Sequence, residues 1–169
     1  ATLIIVMSVM NGFRIELLEK IVGVNGHIFA TPIDRPLDDY EAVAQRLRKV
    51  PGIKFAIPLV EGQALASSQV GNGGVLVRGI SEDDIKSIPF VANNIKQGTL
   101  DGFGTAGGVA IGRRLAASLG LQAGDTITIV TPRGASTPFG TAPRIKAYPV
   151  TAVFEIGLSE FDASFVFMP

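Results

Sequence analysis

Residues 126–154 read TITIVTPRGASTPFGTAPRIKAYPVTAVF, and no other stretch limits the possible folds as much. Two arms rich in β-branched and apolar residues, TITIV and RIKAYPVTAVF, flank roughly a dozen residues dominated by Pro, Gly, Ser and Thr, the pattern of a β-hairpin. A hairpin closes with about two to five residues, so the surplus at this tip points to a partner that touches it. Phe139 is the single aromatic residue there, set between Pro138 and Gly140. Pro132, Pro138 and Pro143 fix φ along the loop and lower the entropy lost on docking. Residues 126–154 contain no acid and carry the bases Arg133, Arg144 and Lys146. The same residues also fit an ordinary mobile loop whose phenylalanine folds back onto its own hairpin.

A chain of 169 residues that is 47% hydrophobic and 18% charged can bury one good core or two small ones. Fifteen bases balance fifteen acids, so no overall field draws the molecule to nucleic acid or to an anionic membrane surface. The absence of cysteine excludes disulfides, thiolate catalysis and cysteine-ligated metals. His27 is the only histidine, which removes histidine-based metal clusters. A hydrolytic triad would have to use His27 as its base, and no GxSxG elbow accompanies it. A hydrogen-bonded structural histidine is the plainer reading.

In chain order, the N-terminal ATLIIVMSVM is apolar with no charge before Arg14, about half the length of a membrane span. Val6, Met10, Phe13, Leu17 and Ile21 continue it at helical spacing as an amphipathic helix, which fits either a longer membrane helix that runs on into water or a buried N-terminal core helix. Residues 27–31, HIFAT, have the content of a short strand. A helix follows, with Asp38 and Glu41 spaced as a capping box and Tyr40, Val43, Ala44 and Leu47 on one face. Residues 53–69 and GVLVRGI read as paired strands, with Pro58 and Gly62 at a bulge or edge and Gly71-Asn72-Gly73-Gly74 between them. SEDDIKSI is a capped helical turn, residues 93–108 are loop-like, and VAIGRRLAASL is a short helix stopped by Gly120. Residues 155–163 turn, and SFVFMP is a last strand.

Gly102, Gly104 and Gly107 match GxGxxG, but a dinucleotide fingerprint must follow a good strand inside a βαβ unit, and NNIKQGTLD is a poor one. The phosphate-loop spacing from Gly107 to Gly112 places Arg113 and Arg114 where Lys and Ser/Thr are required. The acid clusters Asp38-Asp39 and Glu82-Asp83-Asp84 fall at helix N-termini, where negative charge is favoured.

SVMNGFRIELLEKIVGVNGHIFATP, GGVAIGRRLAASLGLQAGDTITIVTP and FDASFVFMP, in that order along the chain, resemble the LolC/LolE permease subunits of the lipoprotein-releasing ABC transporter. The resemblance implies a non-catalytic periplasmic domain between membrane helices, in the inner membrane of a Gram-negative bacterium. Its implied fold is α+β, a porter-like α/β layer with an inserted, mostly β subdomain that carries a long protruding hairpin. Residues 1–22 would be the end of the first transmembrane helix, 23–80 the first porter-like segment, and 81–169 the mostly β part with hairpin 126–154. The implied partners are a LolA-type lipoprotein carrier, a LolD-type ATPase subunit, a second permease subunit and the lipoprotein substrate. The inner membrane is reached through flanking helices. No cofactor, metal, catalytic residue or nucleic-acid partner is implied. In the family a hairpin tip with a TPxG-like segment hooks the carrier, matching Thr137, Pro138, Phe139 and Gly140, with Arg144 and Arg133 beside them. The alternatives are a MacB-like mechanotransmission domain that binds a periplasmic adaptor and, more remotely, a soluble periplasmic enzyme.

Overall fold

The structure is a computed structural model that describes residues 2–24, 26–32, 37–132, 136–137, 140–141 and 143–169. The helices are α1 (Thr2–Val24), α2 (Tyr40–Arg48), α3 (Glu82–Lys86), α4 (Pro89–Ala92), α5 (Arg113–Leu119) and α6 (Ser159–Ser164). The strands are β1 (Val60–Ser67), β2 (Asn72–Gly79), β3 (Ile95–Gly98), β4 (Val109–Gly112), β5 (Thr126–Thr131), β6 (Ser136–Thr137), β7 (Gly140–Thr141), β8 (Arg144–Phe154) and β9 (Phe165–Met168). A seven-stranded mixed sheet has the order β3-β8-β4-β9-β2-β1-β5, and β5 also pairs with β8, so the pairing order closes on itself. Strands from both sides of residue 80 share this sheet. The α+β class and the long hairpin are as expected.

Strand period sorts the core. On β4 and β9, Val109, Ile111 and Val166 enter one apolar cluster while Ala110, Phe165 and Phe167 enter the other, because successive side chains leave a strand on opposite faces. The first cluster also holds Ile85, Val91, Phe103 and Phe154 beneath α3 and α4. The second holds Leu115, Leu119, Ile127 and Val150 beside α5. Both clusters therefore grip the same central strands.

Several expectations are corrected. VAIG is strand β4 and not the start of a helix; all four of its residues are buried. A short apolar run buried on both faces has no alternation to betray it. The helix begins only at Arg113 and ends at Gly120, whose φ of 62° supplies the left-handed cap. Residues 95–98, read as loop, form β3 with a register shift between Ile95 and Gln97. Conversely, HIFAT forms no strand, and β1 starts only at Val60. A strand exists through its ladder, and no described residue pairs with this one. Gly62 sits inside β1 opposite Val77 with unbroken register, so no bulge occurs there. The N-cap of α2 is Asp39, with no side-chain bond to the helix, so the capping box is absent. In α3 the cap is real, Asp84 N donating to Ser81 Oγ at 3.2 Å.

On α1, Val6, Met10 and Phe13 do not form a buried stripe, while the side chains of Leu17 and Ile21 lie outside the described ones. Leu3, Ile4, Ile5, Val6 and Met7 are all exposed, as are Val9, Met10, Phe13, Ile15 and Leu18. Consecutive positions at about 100° per residue cover every face. Among the described residues no helix is long and apolar enough to cross a membrane by itself.

The segment before β9 is held by Asp162, buried although acidic. Its carboxylate accepts Ile156 N–H at 2.8 Å and Gly157 N–H at 2.9 Å, and α6 lies so close to β4 that a Cβ on Gly112 would collide with the Asp162 backbone. Asp162→Ala leaves these donors without an acceptor and is expected to cost about 2–3 kcal/mol in urea unfolding. A loss below about 0.5 kcal/mol would show that the carboxylate is dispensable.

Candidate functional site

The hairpin is built in two stages. At its base β5 and β8 pair antiparallel from Thr126 opposite Pro149 to Thr131 opposite Arg144, and Thr131 Oγ1 donates to the Arg144 carbonyl at 3.4 Å. Beyond it β6 and β7 form a separate two-stranded ladder, Ser136 opposite Thr141 and Thr137 opposite Gly140. Pro138 and Phe139 lie between Thr137 and Gly140. Of the tip residues expected to make contact, Thr137 and Gly140 are brought together by this pairing, while Arg133, Pro138 and Phe139 lie outside the described residues. Arg144 opens β8 and is exposed.

The outer half of β8 alternates in character. Arg144, Lys146 and Tyr148 share one face, and Lys146 Nζ stands 4.8 Å from the centre of the Tyr148 ring, a cation–π contact. Ile145 and Ala147 take the other face, and Ile145 is 65% exposed. Ile145 is opposite Val130, which is opposite Leu65 on β1, and Leu65 is exposed as well. Sequence reasoning missed this cross-strand apolar row. The period-two pattern of RIKAY marks Ile145, but nothing local shows that β1 lies alongside.

The glycine-rich segment already has its anion. Gly102 N–H and Gly104 N–H donate to the Glu82 carboxylate at 3.1 and 2.9 Å, so the amides of the GxGxxG match bind an internal carboxylate. Lys86 Nζ joins Glu82 and Asp101, each at 2.7 Å. The Lys86 bond, followed by the Gly104 amide, holds Glu82 below its ordinary range. The Lys86 bond, followed by that of Thr99, lowers Asp101. Lys86 is raised, first by Asp101 and then by Glu82. Depressed carboxylates contribute stability that is present above their unfolded pKa of about 4 and is lost as pH falls through the lower folded values. The raised Lys86 contributes below its unfolded pKa of about 10.4 and is lost only above that. Acidification from about pH 6 to about pH 2 is therefore expected to speed amide exchange at Gly102 and Gly104 beyond the change in intrinsic rate, chiefly below about pH 4. Protection that stays constant over that window would refute the role of the carboxylates.

His27 is exposed and lies outside any strand, Arg113 pairs with Glu155 at 2.7 Å, and Arg114 is exposed. Among the described residues no group of three or more His, Asp or Glu is placed to hold a metal.

The family model of the MacB-like periplasmic core domain matches residues 1–169. The chain belongs to this family. Among relatives of this MacB-like domain, the lipoprotein-releasing system transmembrane protein LolC of Neisseria meningitidis serogroup B is 31% identical over 163 residues, covering 96% of the chain and 39% of that protein. The corresponding LolE of Haemophilus influenzae is 25% identical over 173 residues, covering 100% of the chain and 41% of that protein. The resemblance to LolC/LolE permeases is thus borne out, and the chain spans about two fifths of the length of these relatives. The extracellular domain of the noncanonic ABC-type transporter YknZ from Gram-positive bacteria superposes with a TM-score of 0.52 at 16% identity, covering 83% of this chain and 70% of that one. That likeness supports the shared fold.

Proposed function

We propose that the chain is the periplasmic domain of an inner-membrane ABC transporter permease that releases lipoproteins and passes them to a LolA-type carrier. The hairpin tip, Thr137, Pro138, Phe139 and Gly140 with Arg133 and Arg144, acts as the hook. The observation that carries this reading is the two-stage hairpin, a firm base ladder beneath a separately paired tip, in a chain whose relatives are lipoprotein-releasing permeases. Phe139 enters an apolar groove of the carrier and the arginines meet acids on its rim, an anchor with a charged surround. ATP hydrolysis belongs to a LolD-type subunit and the transport path is shared with a second permease subunit, so the chain itself is non-catalytic.

In this reading the all-round apolar exposure of α1 reflects a lipid environment, as expected of a helix that is hydrophobic on every face. Residues 1–22 are the end of a membrane helix and residues 23–80 the first part of a porter-like layer. Residues 81–169 form the mostly β part. The MacB-like family model favours one other reading, a mechanotransmission domain that engages an adaptor. Pull-down of the chain with a LolA-type carrier and with a MacB-type adaptor separates the two. Capture of the carrier alone supports the hook, and capture of the adaptor alone overturns it.

A further inference from the structure

At the C-terminal end of α1 the helix backbone lies directly against a ring. A Cβ on Gly23 would overlap Cδ2 and Cε2 of Phe90, so only glycine lets α1 sit this close to α4. Phe90 packs against the first core cluster, and its carbonyl accepts from Asn94 Nδ2 at 2.9 Å. The Asn94 carbonyl in turn accepts Glu155 N–H at 3.0 Å. Glu155 directly follows Phe154, the last residue of β8 and a member of the same cluster. At its other end β8 is an arm of the hairpin. A packed ring and two consecutive hydrogen bonds therefore join the end of α1 to the strand that bears the hook.

We infer that Gly23 and Phe90 form the joint through which a change in the tilt of α1 is passed to β8 and so to the hairpin tip. The inference deepens the permease reading, since it takes α1 as the membrane-borne element. Coupling between distant elements can be carried by chains of packed side chains, hydrogen bonds and rigid secondary elements. The Gly23–Phe90 seat, the apolar cluster and the eleven-residue strand β8 supply them.

The cysteine-free sequence allows clean labelling. Spin labels at Asn11→Cys on α1 and Ala117→Cys on α5 report the helix–body distance for the full chain in detergent micelles. A single narrow distance is expected. Gly23→Leu should move or broaden it by roughly 2 Å or more, the range over which packed helices separate as contact side chains grow. Phe90→Ala should broaden it as well, and the double variant, in which the added isobutyl group faces the space vacated by the ring, should narrow it again. Backbone amide exchange in residues 144–148 should rise about tenfold in each single variant. A folded Gly23→Leu chain with unchanged distance and exchange would overturn the joint, as would a changed distance without any change in exchange. If Gly23→Leu fails to fold, Phe90→Ala alone decides by the same two readouts. Carrier capture by the unsubstituted chain is scored separately, so failure of the hook reading and failure of the joint are distinguishable.

Discussion

Phe139→Ala is expected to weaken binding of the chain to a LolA-type carrier more than tenfold while leaving its unfolding midpoint unchanged. A tenfold loss is about 1.4 kcal/mol, and aromatic anchors that fill a desolvated pocket commonly exceed about 2 kcal/mol on truncation. Pro138→Ala should act in the same direction by a different route, because the released backbone must be ordered on docking. Stability should be indifferent to both changes, since the tip ladder of Thr137 and Gly140 is separate from the sheet that carries the core. Calorimetric titration of the carrier into each variant checks this. Affinity equal to that of the unsubstituted chain would remove the hook assignment.

The opposite pattern is expected at Phe154, the last residue of β8. Phe154 is fully buried, 5.4 Å from the Phe167 ring between centroids, and its backbone pairs with Ile95 on one side and Gly112 on the other. Phe154→Ala removes a ring from a packed cluster that cannot collapse without moving β3, β4 or β9, and should cost about 3–5 kcal/mol. Urea unfolding followed by far-ultraviolet dichroism provides the measurement, and a loss under about 1 kcal/mol would mean that the first cluster is not the main core. Together the two substitutions separate binding from folding.

The hairpin was legible because both of its signals are local, alternating arms and a tip rich in turn residues. Gly120 and the Ser81 cap were legible for the same reason, since cap chemistry acts within one turn. VAIG was misread because a strand buried on both faces looks like part of a helix, and the pairing of β4 with β8 and β9 is a long-range fact. HIFAT failed in the other direction, having strand composition but no described pairing partner. At the site, Phe139 and Arg144 stand out in the sequence as an anchor and a charge. Ile145 becomes notable only when β5 brings it into line with Leu65, more than seventy residues earlier in the chain.

The ladder of β5 and β8 also dictates how such a hairpin can change over time. Two added residues in each arm would lift the tip by about 6.6 Å, at roughly 3.3 Å per residue, and leave every side chain on its original face. One added residue in a single arm would turn the outer half of β8 over, exchanging Arg144 and Lys146 with Ile145 and Ala147. Reach is thus adjustable only in paired steps, whereas the tip chemistry can vary one residue at a time. Variants among related permeases with different hairpin heights are expected to differ by even numbers of residues shared between the arms.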